Sequence, residues 1–447
     1  MRSDQQQAIN RLAGTSATAF LCAVLCVYPL YIDKFSNLGV TKFIGCFTLF
    51  LLFLLWLVAC TAIGARAPCP RNANAGRDVT LWSVLAFAGI SLISTFTSLS
   101  PMASTWGLGG YYGGLMLVLF TAAGYWAVRS YLDLENLDFV FWVLGITTSI
   151  VAVLYVLNIF NIDLIGAYAD TAVVERAQFF STLGQKDFNG CFFSVALPIV
   201  FYQFLNAKDT RTAVWTGIPA AFGALALAVV DSEALALGIG AAVMVLVCHK
   251  NFTTRHLRRA ALISAAFFGW AAWMHYMRAS VYTQGGTALL AKLGAWQVAL
   301  PCMAASLLLW LVLFVLARKG IATQAPLYLP GRGITIAVLA VGALAFVLAN
   351  AMPNLPLPES LHNLLVFNDD WGTYRGVAWR AAFGTWADGS LLRKIVGIGP
   401  GMMHTAVAAW AGDAMTARMA TFYAAHNEYL EQLLTCLLYT SPSPRDR

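Results

Sequence analysis

The sequence predicts an all-α polytopic membrane protein with about 12 transmembrane helices, and two observations lead to that prediction. Of its 447 residues, 59% are hydrophobic and only 11% are charged, whereas a soluble domain carries roughly 25% charged residues. The apolar residues also fall into runs of roughly 20, the length that a helix needs to cross the hydrocarbon core of a bilayer. So few charges cannot coat a water-facing surface of this size, which excludes an ordinary soluble protein.

Eleven apolar runs are predicted as complete spanning helices, and a twelfth begins near Tyr429. The seventh and eighth are separated by Asp231-Ser232-Glu233, which we interpret as a tight turn between two spans. The predicted spans are 14–31, 43–63, 79–99, 114–131, 139–160, 188–206, 213–230, 234–248, 260–277, 294–317 and 334–351.

The basic residues predict the orientation of these spans. With the N-terminus in the cytoplasm, most lysines and arginines before residue 351 fall in cytoplasmic loops, as the positive-inside rule requires. One such loop holds Lys250, Arg255, Arg258 and Arg259. The formal charge of +7 therefore reflects topology, and no basic tract interleaved with aromatic residues indicates nucleic-acid binding. The nine cysteines form no CxxC pair, so they predict neither a metal site nor a disulfide framework.

One long segment, residues 352–428, follows the eleventh span and is predicted to lie outside the membrane. We divide the chain accordingly into spans over 1–351 and one large extracytoplasmic loop over 352–428. The loop is too rich in tryptophan and phenylalanine to be predicted as disordered. A long loop of this kind is usually functional.

Within the loop, four side chains are spaced to share one face of a helix: Arg375, Trp379, Phe383 and Trp386. Such a helix would lie along the membrane surface or on the tops of the spans. Arg375 could then extend toward lipid headgroups, or it could bind an anion, because guanidinium pairs bidentately with phosphate. The residues alone leave both interpretations open.

Two short motifs follow in the same loop. Gly397-Ile398-Gly399-Pro400-Gly401 is a turn or a place where the backbone approaches a ligand closely, and it is not a P-loop, because no GK[ST] follows. His426, in Ala425-His426-Asn427-Glu428-Tyr429-Leu430, is either a general base that titrates near neutral pH or a polar residue that caps the next helix.

A second outward segment, residues 161–187, is polar and leads directly into the sixth span. It contains Arg176 and Lys186 and overlaps the sequence STLGQKDFNG, residues 181–190. An ordinary connecting loop with a helix cap is the alternative to a binding role.

These motifs, in this order, resemble the O-antigen ligase and polymerase family of bacterial envelope glycosyltransferases. The resemblance rests on STLGQKDFNG before a mid-chain span, DSEALALG after the seventh span, and YRGVAWRAAF at the start of the large loop, followed by GIGPG and AHNEYLEQLL. It covers most of the chain and is strongest from about 176 to 434. The chain departs from the family at Ser232-Glu233, where many members have Ser-Arg, and in WGLGGYYGG, residues 106–114, which lacks an arginine that relatives often carry.

The resemblance implies a fold of the GT-C type, located in the bacterial cytoplasmic (inner) membrane. It implies transfer of a glycan from undecaprenyl pyrophosphate to lipid A core, to another glycan chain or to a protein, with no metal and no cofactor. His426 matches the family histidine thought to activate the acceptor hydroxyl, and Arg375 matches an arginine thought to hold the pyrophosphate. We carry over Arg176 and Arg380 as further donor contacts, and Gly397, Gly399 and Gly401 as residues that shape the loop.

The main alternative is a flippase for lipid-linked glycans or another secondary transporter. Transporters usually place paired ionisable groups or broken helices near the middle of the bilayer. Here Asp231 and Glu233 are the only candidates, and both lie at the predicted turn. The charge gathered in the outer loop instead favours an enzyme.

The last residues do not continue the twelfth span. From Leu437 the chain reads LLYTSPSPRDR, and its prolines and charges cannot cross lipid. This segment resembles the translation of a sequencing adapter. We therefore expect 429–436 to be the start of a truncated twelfth helix and 437–447 to be a non-native tail.

Overall fold

The computed structural model describes residues 2–64, 78–110, 112–280, 292–321, 324–352, 355–410 and 424–435. Within these ranges the regular structure is almost entirely helical. The long helices and the short helix α4 are α1 (Arg2–Leu30), α2 (Leu38–Gly64), α3 (Val79–Phe96), α4 (Pro101–Trp106), α5 (Leu115–Tyr131), α6 (Leu137–Ile159), α7 (Lys186–Asn206), α8 (Thr210–Val229), α9 (Glu233–Cys248), α10 (Thr254–Ser280), α11 (Trp296–Arg318) and α12 (Tyr328–Ala351). The later helices are α13 (Glu359–Leu365), α14 (Trp371–Ala387), α15 (Leu391–Val396), α16 (Met403–Trp410) and α17 (Glu428–Thr435). The described strands, β1 (Phe179–Phe180) and β2 (Gly184–Gln185), form one antiparallel pair.

Each of the eleven predicted complete spans coincides with one helix, α1–α3 or α5–α12. Eight described helices are long and apolar enough to cross a membrane, namely α1, α2, α3, α6, α7, α8, α11 and α12. The prediction of an all-α, multi-pass membrane protein is therefore confirmed. The count of twelve stays a prediction, because α5 and α9 have only 17 and 16 residues and α10 begins with several arginines.

The surfaces of α11 and α12 have the apolar character of lipid-facing helices. In the most apolar 18-residue window of each helix, only 6% of the residues are buried. Leu308 on α11 and Val341 on α12 are both well exposed. Large exposed apolar surfaces mark contact with a membrane or a partner.

The chain forms two compact units. The first contains Met1–Ala17, Phe50–Leu132 and Leu339–Arg447, and the second contains Thr18–Leu49 and Asp133–Val338. The described residues of the large loop thus belong to the same unit as α3, α4 and α5. The boundary that we predicted at residue 351 stays a prediction.

The second unit has its core between α6, α7 and α8. Fully buried residues of this core include Val151 of α6, Phe193 and Leu197 of α7, and Val229 of α8. Glycines let these helices approach closely, since a Cβ at Gly223 would lie 2.9 Å from the Leu197 side chain. Small residues at helix contacts are typical of membrane proteins.

Lys42 satisfies the backbone where α1 ends. Its Nζ donates hydrogen bonds to the carbonyl oxygens of Tyr28 at 2.6 Å and Tyr31 at 3.1 Å. The Lys42 side chain is buried and also lies over the Tyr28 ring. The last carbonyls of a helix have no partner within the helix. Lys42 therefore acts as the C-terminal cap of α1.

Replacing Lys42 by methionine should lower the free energy of unfolding by roughly 2–3 kcal/mol, because the carbonyls of Tyr28, Pro29 and Tyr31 lose their donor. Thermal unfolding of the detergent-solubilised protein measures the effect. Lys208→Met is the matched control, because Lys208 is exposed. Equal stability of the two variants would show that Lys42 does not cap α1.

Candidate functional site

The three motifs of the large loop come together in the first unit. The Arg375-bearing helix α14, the GIGPG segment, α16 and the segment that carries His426 share one buried cluster, which we call the loop core. Its buried members are Val377, Ala378, Ala381, Ala382, Ile398, Met402, Met403, Ala406, Val407, Ala425 and Leu434. Motifs as distant in the sequence as Arg375 and His426 therefore form one structural element.

The helix predicted around Arg375 is confirmed, and small side chains make most of its contact with the loop core. α14 packs through Val377, Ala378 and the alanines one turn later, whereas Phe383 is 52% exposed. Trp379 and Trp386 lie half-buried at the edges of this contact. Small side chains let the backbones approach closely, so the alanines pack against the loop core and the larger aromatic residues flank them.

The GIGPG segment is a tight turn that depends on its glycines. Gly397, Gly399 and Gly401 all have positive φ, at 88°, 102° and 69°, where a Cβ is disfavoured. A Cβ on Gly399 would also lie 2.5 Å from the Ser104 hydroxyl oxygen. The turn leaves the backbone N–H of Ile398 free to donate to the Leu434 carbonyl at 3.2 Å, at the end of α17.

Hydroxyl groups of the first unit hold this turn and the end of α17. The Ser104 hydroxyl donates to the Pro400 carbonyl at 3.2 Å, and the Ser94 hydroxyl donates to the Thr435 carbonyl at 2.7 Å. Gly107, in the glycine-rich segment 106–114, lies against Gly401. The sequence singled out this segment only for a missing arginine, and its packing role was not predicted.

The residue before His426 is fixed on both sides. The Ala425 N–H donates to Glu431 Oε2 at 2.8 Å, and its carbonyl accepts a hydrogen bond from the Trp379 indole at 2.9 Å. His426 itself has φ +50° and an exposed side chain. The backbone is thus anchored while the imidazole stays accessible, as a base that meets a large substrate requires.

The two predicted loop arginines differ in their surroundings. Arg375 is half-buried in the first half of α14, one turn before Trp379. Arg380 forms an ion pair with Asp369, in the turn that precedes α14. Since the Asp369 carbonyl also accepts the Val377 N–H at 3.1 Å, we assign Arg380 to holding this turn.

In the second unit, Asn189 organises the STLGQKDFNG segment. Its side-chain N–H groups donate to the carbonyls of Phe180 and Gly184 at 3.1 and 3.0 Å, and its Oδ1 accepts the Ser181 hydroxyl at 2.6 Å. Asn189 has no exposed surface. An asparagine inside an otherwise apolar run is the signal that could have marked it in the sequence.

The same segment borders a cavity of about 320 Å³. It lies where α6, α7, α8 and α10 end or begin, and it brings STLGQKDFNG next to DSEALALG, because the Ser232 hydroxyl donates to Asp187 at 3.0 Å. Its polar lining residues are Tyr155, Gln178, Gln185, Lys186, Asp231 and Arg278. In the part of the chain that the structure describes, the buried Nε of Arg278 has no hydrogen-bond partner. The lining therefore combines the cations Lys186 and Arg278 with the Asp231 carboxylate, and sequence reasoning missed Arg278.

Arg176 also belongs to the second unit, in the short 3₁₀ helix Val173–Gln178. Its guanidinium carbon lies 5.5 Å from the centre of the Tyr168 ring. Burial, with a further contribution from Asp163, raises the pKa of the Tyr168 phenol; the nearby Arg176 opposes this rise. Arg176 does not line the cavity, although its neighbours Ala177 and Gln178 do.

A search of the described residues finds no group of three histidine, cysteine or acidic side chains that could hold a metal ion. The predicted tail, 437–447, and the loop residues 411–423 lie outside the described residues.

Comparisons of this chain with protein-family models, with curated proteins and with solved structures find no match. The resemblance to the O-antigen ligase and polymerase family therefore stays a prediction.

Asn189→Ala should lower the free energy of unfolding by roughly 2–3 kcal/mol, since several buried backbone and hydroxyl groups lose their partner. The readout is the thermal midpoint in detergent. Gln203→Ala serves as the control on the same helix, because Gln203 makes a single 3.3 Å bond to the Asp138 carbonyl. A midpoint for Asn189→Ala no lower than that of the control would rule out the organising role.

Proposed function

We propose that this chain transfers a glycan from an undecaprenyl-pyrophosphate-linked donor to an acceptor, on the outer face of the bacterial cytoplasmic membrane. The acceptor is a growing glycan, lipid A core or a protein. One observation carries the proposal: the Arg375 helix, the GIGPG turn and the His426 segment share one buried loop core. A loop of unrelated motifs would have no reason to fold them together.

His426 supplies the base in this proposal. The oxygen of the acceptor hydroxyl attacks the anomeric carbon of the donor, and its proton passes to the imidazole. The carbon–oxygen bond to the pyrophosphate breaks, and the electron pair leaves with the lipid pyrophosphate. A positioned base typically accelerates such a step by 10²–10⁴-fold, and the fixed Ala425 peptide positions it.

Arg375 stabilises the leaving group in this proposal. Negative charge grows on the pyrophosphate as the bond breaks, and a preorganised guanidinium stabilises it, especially where water is partly excluded. Arg375 is half-buried, which suits this role. The role of Arg176 stays a prediction, and Arg380 is assigned to the Asp369 ion pair.

The position of the ionisable groups favours an enzyme over a transporter. Lys186 begins α7, Asp231 lies two residues after the end of α8, and Arg278 lies in the last turn of α10. These charges therefore collect at helix ends, whereas transporters place such groups near the bilayer midplane. The basic loops further support an orientation with the N-terminus in the cytoplasm and the large loop outside.

His426→Ala and Arg375→Ala should each lower the rate of glycan transfer at least 100-fold, because one loses the base and the other loses charge stabilisation. The assay uses the full chain in membranes, with a lipid-linked glycan donor and an acceptor fraction from the same host.

The matched controls are His362→Ala and Arg211→Ala, since both residues are exposed. Both controls should transfer glycan at the wild-type rate. Wild-type transfer by His426→Ala would remove the catalytic assignment, and wild-type transfer by Arg375→Ala would remove the pyrophosphate assignment.

A further inference from the structure

The first unit contains a second cavity, of about 250 Å³, beside the loop core. It lies between the end of α14, the short helix α15 and the end of α16. Three of its lining residues, Ile398, Ala406 and Leu434, are also members of the loop core. The remaining lining residues are Leu99, Thr385, Trp386, Asp388, Gly389, Arg393, Ala409 and Trp410.

The polar side chains of this cavity make few hydrogen bonds within the protein. In the part of the chain that the structure describes, the buried indole nitrogen of Trp386 has no hydrogen-bond partner. Asp388 accepts the Trp410 indole N–H at 2.8 Å through one carboxylate oxygen. Arg393 also lines the cavity, and both charged groups are exposed. The Trp386 nitrogen is the group that calls for an explanation, because buried polar groups without partners are rare.

The two indole rings of the cavity are held in place. A Cβ on Gly384 would lie 2.5 Å from the Trp410 ring, so only glycine lets this indole pack against α14. The Trp386 ring packs against Phe383 with centroids 5.6 Å apart, and the Lys394 ammonium lies 5.9 Å from its centre. Rigid aromatic surfaces of this kind provide large contact area with little loss of conformational freedom.

We propose that this cavity is a saccharide-binding subsite. A sugar presents hydroxyl groups that both donate and accept hydrogen bonds, and a face of C–H groups that packs on an indole ring. The free Trp386 N–H, the Asp388 carboxylate and the Arg393 guanidinium match the hydroxyls, and the two rings match the C–H face.

Other occupants fit the lining less well. An acyl chain would desolvate Asp388 and Arg393 and would leave the Trp386 N–H without a partner, which costs free energy. A phosphate group would meet the Asp388 carboxylate as well as Arg393. A neutral, polyhydroxylated ligand avoids both costs.

We assign the acceptor glycan to this subsite, an assignment that rests on the proposed function. Saccharide binding itself can be tested without it. The experiment titrates the full chain in detergent with chitotriose, with maltotriose and with an oligosaccharide pool released from the host envelope, and follows tryptophan fluorescence.

Saturable binding of at least one probe is expected. Trp386→Phe keeps the ring and removes the N–H, while Asp388→Asn keeps an acceptor for Trp410 and removes the charge. Each should weaken binding roughly tenfold, as the loss of one hydrogen bond to a charged or buried group does.

Trp296→Phe and Asp138→Asn are the controls, because Trp296 and Asp138 are exposed. Both controls should bind like the wild type. Thermal unfolding of every variant verifies folding.

The subsite is excluded if no probe binds, or if the two cavity variants, folded like the wild type, bind as the controls do. Transfer assays keep the two proposals apart. If saccharide binding requires Asp388 but His426→Ala transfers glycan normally, the subsite stands and the proposed catalysis falls. If transfer requires His426 but Asp388→Asn leaves the KM for acceptor unchanged, the acceptor assignment falls alone.

Discussion

The need to pair every backbone N–H and carbonyl away from water is the constraint on which this structure depends. Helices meet it along their length, and the chain must meet it by other means where helices end. Lys42 does so for the end of α1, Asn189 for the segment before α7, and the GIGPG turn for the end of α17. Each solution uses a polar or glycine residue that would be out of place in the middle of a span.

The same helix ends carry the groups that could do chemistry. In the second unit, the cavity with Lys186, Asp231 and Arg278 forms where four helices end or begin. In the first unit, the peptide before His426 is fixed by Glu431 and Trp379. A lipid-linked substrate has its reactive group at the membrane surface, so sites at helix ends suit it better than sites in the middle of the bilayer.

The helices could be predicted from the sequence because runs of about 20 apolar residues have few other structures open to them. The residues by which α14 contacts the loop core could not, because most of them are alanines, whose spacing gives little signal in the sequence. The Arg380 ion pair and the position of Arg278 also escaped prediction, since both depend on residues distant in the chain. The role of Asn189 was also not predicted. Its four hydrogen-bond partners lie within nine residues of it in the chain, but only the folded turn brings all of them to one side chain.

The most direct test of catalysis is a mass-spectrometric count of both products from the full chain in sealed vesicles supplied with a lipid-linked glycan and an acceptor. Glycan transfer predicts that free undecaprenyl pyrophosphate and glycosylated acceptor appear in equal amounts, and that both vanish in His426→Ala. A donor that stays intact, or that crosses the vesicle membrane with its glycan still attached, would contradict the account.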